Sequence, residues 1–404
     1  MIKRFILAAT IIIVMSACLP TSPKNTSAPT EPAPPTEIPT AIPTAEALPT
    51  DTAALPPTQP PAEPSAPQAV YGPADFPPNV SPLTGKTVQE QSLLERRPLA
   101  VKIQLFPRNG RPPYGVSLAD IVYDYYQNFG LTRLHAIFLS QDAETVGPIR
   151  SARLLDQQLV NMYQSVFAFG SAEARTYNRL VNSDFASRLV VEGGANCPPM
   201  CRQDPNGSNK LITNTTELSK YITGKGVDNA RQNLNGMYFN PGTPPNGTPA
   251  TQIFVRHSIS AYALWDYNPE IGRYLRYQDT QEAHDSSQES TEALIDQLTN
   301  AQIAADNVVV LSVPHQYAFG TKPGVNEVVE INLTGSGPAF AFRDGQMFEV
   351  VWNRPDKNSV LFLTFPDGVY YSFKPGATWF EVVGSTTKTT TPNPNMYRFD
   401  HSIP

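Results

Sequence analysis

Apolar and polar side chains alternate from residue 99 to residue 105 (Leu-Ala-Val-Lys-Ile-Gln-Leu), the period-two pattern of a strand that buries one face. Two further short strands are expected over 121–126 and 134–139, with the hairpin-like turn Asn128-Phe129-Gly130 between them. The period then changes. Leu154, Leu155, Leu159 and Met162 fall on one side of a helix, with Ser151 placed to cap it and Tyr163 near its end. A strand over 166–169 and helices over 173–181 and 216–222 complete a half in which strands and helices alternate. The stretch 235–249, rich in Gly, Pro and Asn, marks a boundary or a long surface loop.

Beyond that boundary the helical period almost disappears. Residues 253–257 read as a strand, and 263–267 and 274–277 flank the turn Asn268-Pro269-Glu270-Ile271-Gly272. Residues 308–313 form a nearly continuous apolar run, as in a strand covered on both faces. Shorter runs follow at 327–333, 339–343, 347–352, 360–365, 369–373 and 378–383. Asp344-Gly345 and Asp367-Gly368 lie between paired runs as hairpin turns. One helix is expected near 290–298. The fold class is therefore α+β. A mixed α/β N-terminal domain over 79–250 precedes a mainly antiparallel β domain over 251–385, with a C-terminal tail over 386–404.

Composition alters the picture only at the start of the chain. Of its 41 prolines, 18 fall in residues 19–78, a segment of Pro, Thr, Ala and Glu with few large apolar side chains. Such a segment cannot bury enough surface to offset its ordering entropy, so a disordered tether is expected. At about 3.1 Å per residue in extended polyproline form it reaches on the order of 180 Å. Ahead of it, Lys3 and Arg4 precede an apolar run over 5–14 that is too short to span a bilayer and has the shape of a secretory signal. Ser16 and Ala17 then stand before Cys18, as small residues do before the acylated cysteine of bacterial lipoproteins. Residues 1–18 are thus expected to be a lipoprotein signal peptide, with Cys18 lipidated. The protein would then be extracytoplasmic and lipid-anchored to the bacterial cell membrane. The alternative is a secreted protein with an incidental cysteine. The net charge of −6 is carried largely by the acids of the tether. The near-neutral body excludes a general nucleic-acid binder, which neutralises many phosphates with Lys and Arg.

The strongest candidate for chemistry is Arg150-Ser151-Ala152-Arg153. With Ser151 as the cap, free N–H groups and guanidinium forks meet at one helix start, a setting suited to phosphate or carboxylate. Arg133, at the start of a strand, can converge with them. The competing reading is internal, with Asp120, Asp124 or Asp156 neutralising these arginines and tying strand to helix. Cys197 and Cys201 remain once Cys18 is assigned to lipid, an even number in an oxidising compartment, and a disulfide closing this short loop is the first reading. Free thiols are the alternative, because a metal site needs further ligands and His257, His284 and His315 stand at no ligand-like spacing. No HExxH, P-loop or GxSxG motif occurs, and no cofactor or metal is expected.

Several segments together resemble the YerB-like bacterial lipoproteins. In the first half these are Ser81-Pro82-Leu83-Thr84-Gly85, Arg96-Arg97-Pro98-Leu99-Ala100-Val101, Ala119-Asp120-Ile121-Val122-Tyr123, Leu131-Thr132-Arg133 and Gly147-Pro148-Ile149-Arg150-Ser151-Ala152-Arg153. In the second they are Asn307-Val308-Val309-Val310, Gly337-Pro338-Ala339, Arg343-Asp344-Gly345 and Pro375-Gly376-Ala377-Thr378-Trp379. The resemblance spans about 80–385 and implies a two-part, extracytoplasmic lipoprotein; it supplies no reaction. Relatives tend to read Ile-Asp-Asn after the first strand, where this chain has Ile103-Gln104-Leu105. The role expected is binding or scaffolding at the envelope. The membrane would be met through the N-terminal lipid, and the partner would be an envelope protein or an anionic cell-wall ligand. An Ala-Asp strand followed by an arginine pair is also similar to the LytR–CpsA–Psr transferases, which hold a lipid-linked pyrophosphate. On that alternative Asp120, Arg133, Arg150 and Arg153 share one open cleft.

Overall fold

In a computed structural model, residues 69–193, 197–204 and 211–403 are described. The expected signal peptide, Cys18 and residues 19–68 of the expected tether lie outside the described residues. Strands Ile121–Asn128 and Leu131–Phe138 pair antiparallel through Phe129 and Gly130, both at positive φ (50° and 75°), as a tight hairpin turn requires. Leu99–Ile103 adds to the other side of Leu131–Phe138, and Val166–Phe169 and Leu189–Val191 extend the sheet in parallel.

The opposite flank of Ile121–Asn128 is taken by a strand from the far end of the chain. Thr378–Gly384, buried along its whole length, runs parallel to both Ile121–Asn128 and Asn307–Val313. Gly335–Arg343, Gln346–Arg354 and Phe362–Thr364 continue the sheet as an antiparallel meander. Strands from both halves of the sequence therefore share one large mixed sheet. A second, smaller sheet has the order Thr291–Ala293, Arg273–Asp279, Tyr262–Asn268, Gln252–Arg256, Met396–Asp400, Lys388–Asn393. The architecture is α+β.

Strand alternation gives the large sheet two different faces. Ala100, Tyr123, Tyr125, Ile137 and Phe167 pack with Leu155, Leu159 and Tyr163 of helix α1 (Leu154–Tyr163) and Leu180 of helix α2 (Ala174–Val181). Leu99, Val101, Ile103, Val122 and Ala136 face Ile253, Val255, Trp265 and Phe399 of the second sheet, together with Leu218 and Ile222 of helix α3 (Thr215–Gly224).

Three expectations change. The helix near 290–298 is absent; Thr291–Ala293 is an edge strand on Arg273–Asp279, and Asp296 turns its carboxylate to the backbone N–H groups of Gly115 (2.8 Å) and Ser117 (2.7 Å). Residues 69–78, read as tether, dock on the body: Tyr71 exchanges backbone hydrogen bonds with Phe239 (3.0 and 2.8 Å), and Phe76 meets the Phe239 ring edge-on. The tail is a hairpin, and its strand Met396–Asp400 pairs parallel with Gln252–Arg256 to complete the second sheet.

Candidate anion-binding site

Arg133 lies opposite Tyr125 in the hairpin, on the face that α1 covers. The segment 147–153 crosses above it, pinned by the backbone bonds of Arg150 N–H to the Lys102 carbonyl (3.0 Å) and of Gly170 N–H to the Arg150 carbonyl (3.0 Å). Ser151 does not cap α1. The cap is Arg153, and Asp156 accepts its backbone N–H at 2.6 Å, so an acid inside the first turn replaces the hydroxyl. Ser151 instead meets Ser171 hydroxyl to hydroxyl at 2.8 Å.

The Ser151 carbonyl draws two guanidinium groups together, accepting from Arg133 at 2.7 Å and from Arg153 at 3.3 Å. Arg153 also donates to the Ala152 carbonyl (2.9 Å) and to Gln127 (2.6 Å). Arg150 turns aside, with Nε on the Gln104 amide oxygen at 2.5 Å. Among the described residues none of these three arginines forms an ion pair. Burial holds the Arg133 guanidinium well below the ordinary arginine value, and the nearby charges of Arg153 and Arg150 push the same way. Neutral Gln104 stands where the resembling family leads one to expect an acid. Gln104→Glu is therefore expected to pair with Arg150 and lower affinity for an anion, measurable by calorimetry with inorganic pyrophosphate.

A cavity of about 460 Å³ opens in front, lined by Asn128, Ser151, Arg153, Ser171, Glu173 and Arg175 among others. Its acids are already engaged. Glu173 accepts the N–H groups of Arg175 and Thr176 at the start of α2 and pairs with the Arg175 side chain at 2.7 Å. Glu327 takes the Tyr126 hydroxyl at 2.8 Å and the Phe129 N–H at 2.5 Å. Arg153 and Ser151 reach this cavity; Arg133 lies beneath them, and Arg150 is not in its wall.

Under the arginines sits a polar cluster that the sequence patterns did not reveal. Lys102, Tyr125, His135 and Asp156 are all fully buried. Asp156 accepts from Lys102 (3.3 Å), Tyr125 (2.5 Å) and His135 (2.8 Å), while Lys102 Nζ also contacts the Tyr125 hydroxyl. Burial pulls the free Lys102 amine down to about 7 despite Asp156. Burial alone would raise Asp156, but Lys102, His135 and Tyr125 together hold it below the usual carboxylate range. The one signal in the sequence was Lys102 within an apolar alternation.

Asp120 and Asp124, expected as acidic partners of the arginines, are placed elsewhere. Asp120 precedes the strand and accepts the N–H groups of Leu139 (2.5 Å) and Ser140 (3.0 Å), about 16 Å along the strand from Tyr125 and Arg133 at about 3.3 Å per residue. Asp124 is next to Tyr125 in sequence and so points to the opposite face. There Arg276 spans Asp124 and Glu381 at 2.6 Å each, between the rings of Trp265 and Trp379. Burial and the Glu381 charge raise Asp124; burial would raise Glu381 too, but Arg276 and His257 bring it below the ordinary value.

Beside Glu381, the His401 ring lies 5.3 Å from His257, 5.1 Å from His315 and 5.3 Å from Tyr126. His401 Nδ1 accepts the Gly384 N–H (2.9 Å), which puts its proton on Nε2, whereas His315 Nδ1 donates to the Val313 carbonyl (2.8 Å). No metal-holding group of His, Cys, Asp or Glu occurs among the described residues. Burial drops His315 to about 4 and His401 well below the ordinary histidine value, with His257 pushing both the same way. The unfolded chain takes up these protons near pH 6.5 and the folded chain does not. Stability is therefore complete above that value and is expected to fall as the pH drops toward about 4, visible as a falling thermal midpoint. A midpoint that holds steady across this range would contradict the burial of neutral rings.

Cys197 and Cys201 are joined by a disulfide, their Cα atoms 5.0 Å apart. Of the aromatic residues near the C-terminal hairpins, Trp352, Trp379, Tyr371 and Phe373 are core, while Tyr370 is partly exposed.

A mixed sheet built jointly by two sequence halves, with this arginine-bearing crossing over it, defines a two-part α+β body. The chain belongs to the family described as "Protein of unknown function (DUF3048)", whose N-terminal domain matches residues 83–228 and whose C-terminal domain matches residues 253–380. It is 27% identical over 310 residues to the Bacillus subtilis (strain 168) protein named "Putative lipoprotein YerB", covering 75% of this chain and 86% of that one. The crystal structure of YerB from Bacillus subtilis superposes with a TM-score of 0.60 at 25% identity, over 75% of this chain and 96% of that chain.

Proposed function

We propose that this chain is a membrane-anchored extracytoplasmic lipoprotein whose body binds an anionic ligand of the cell envelope through Arg133, Ser151 and Arg153, with Arg150 adding to the field. The observation that carries this reading is the absence of any ion pair to the three arginines among the described residues, next to a cavity whose own acids are occupied. Guanidinium groups held on carbonyls have no carboxylate to neutralise them, and forked donors suit phosphate and carboxylate oxygens. The lipoprotein name of the relative supports the anchor. Cys18 takes the lipid, and the proline-rich segment lets the body work at a distance from the membrane.

Two experiments test the two parts. Metabolic palmitate labelling should mark the wild type and not Cys18→Ala; equal labelling removes the anchor. Co-sedimentation of the full chain with an insoluble glycerol-phosphate polymer should fall for Arg133→Gln/Arg153→Gln and fall with added salt. Salt-independent retention, equal in both proteins, removes the anion site.

A further inference from the structure

Lys102 and Asp156 stand in a setting that favours bond formation between them. We infer that Lys102 Nζ and Asp156 Cγ condense to an intramolecular amide that ties the Leu99–Ile103 strand to helix α1. The amine lies 3.3 Å from Asp156 Oδ1, and both side chains are fully buried, so the reacting groups are held together with no competing water. The Lys102 ammonium also lies 3.8 Å from the centre of the Tyr125 ring, and His135 stacks on Phe167 at 5.0 Å, which gives the pair aromatic walls.

The proton path is built in. The Tyr125 hydroxyl touches Lys102 Nζ and donates to Asp156 Oδ1 at 2.5 Å. A proton leaving the ammonium to the phenol oxygen while the phenol proton passes to Oδ1 yields a free amine and a carboxylic acid. The amine lone pair then attacks Cγ, the C–O π bond opens onto Oδ2, and the Arg153 N–H at 2.6 Å stabilises that oxyanion. Collapse re-forms the carbonyl and breaks the Cγ–Oδ1 bond. The Oδ1 hydroxyl leaves as water with the second proton from Nζ, passed through the Tyr125 hydroxyl that touches both atoms. The ammonium and the carboxylate become one amide and one water, with no redox change and no co-reactant.

The amide would fix the base of the arginine crossing covalently, and it stands whether or not that crossing binds an anion. The test is mass spectrometry of the purified full chain, denatured and mapped by proteolysis. The expected result is a branched peptide joining Lys102 to Asp156, lighter by one water than the two linear peptides, absent from Lys102→Met and from Asp156→Ala. Asp156→Asn should give the same branched peptide, because ammonia then leaves in place of water. Succinimides at Asp344-Gly345 or Asp367-Gly368 also lose one water, so the position of the loss decides. Wild-type maps that contain only linear peptides with free Lys102, or a water loss confined to those Asp-Gly pairs, would overturn the inference. Because the wild type alone decides this, a variant that fails to fold leaves the test intact.

Discussion

Replacing Arg276 by Met is expected to lower stability by about 3–5 kcal/mol, the usual cost of stripping one partner from a buried ion pair. The guanidinium reaches across the interface between the two sheets, from Arg273–Asp279 in the small sheet to Asp124 and Glu381 on neighbouring strands of the large one. Without it, two carboxylates remain buried side by side, and the Trp265 and Trp379 rings lose the cation they enclose. Arg276→Lys should recover only part of the loss, because an ammonium is a point donor and cannot span both acids. Denaturant unfolding of the three proteins measures this. A methionine variant within about 1 kcal/mol of wild type would mean that the ion triad holds the sheets only weakly.

Asp156→Ala is expected to have a comparable effect, again about 3–5 kcal/mol. In the uncondensed pair its carboxylate is the acceptor for Lys102, Tyr125, His135 and the Arg153 N–H at once, and its removal, which also forbids the amide, leaves a buried amine close to Arg133 and Arg153. The pH dependence has a definite sign. The free Lys102 amine sits at about 7 in the folded chain against an ordinary 10.5, so the folded form sheds its proton first. Without Asp156, which raises Lys102, the amine of the variant lies lower still, so stability of the variant should rise as the pH climbs through neutrality toward 10.5. Thermal unfolding of Asp156→Ala across that range reads this directly, and a deficit that stays constant would show that Lys102 has found another anion or water.

The periodic segments were the legible part of the fold. Alternation located the strand expected over 99–105, a short apolar run the strand expected over 121–126, and the helical period the helix ending at Tyr163, although both strands are buried on both faces. Segments 290–298 and 388–393 were not legible for a common reason. Their sequences are helix-compatible or simply polar, and only pairing with a distant strand fixes them at a sheet edge. At the candidate site, Arg150 and Arg153 were found from a helix-start argument whose detail differs, since Asp156 rather than Ser151 serves the first turn, and Arg133 from its place at a strand start. Alternation alone already separates Asp124 from Arg133, by placing it on the face opposite Tyr125. The Arg276 triad was hidden because Asp124 and Glu381 sit within runs that read as apolar strands, and nothing local announces their shared partner.

The claim that the Arg133–Arg153 crossing takes an anion is tested most directly by calorimetric titration of the full chain with inorganic pyrophosphate at low ionic strength. The account predicts saturable binding to the wild type that weakens at least about tenfold in Arg133→Gln/Arg153→Gln, since each charged hydrogen bond contributes about 1.5–3 kcal/mol. Equal affinity in both proteins, or no heat with the wild type, would contradict it.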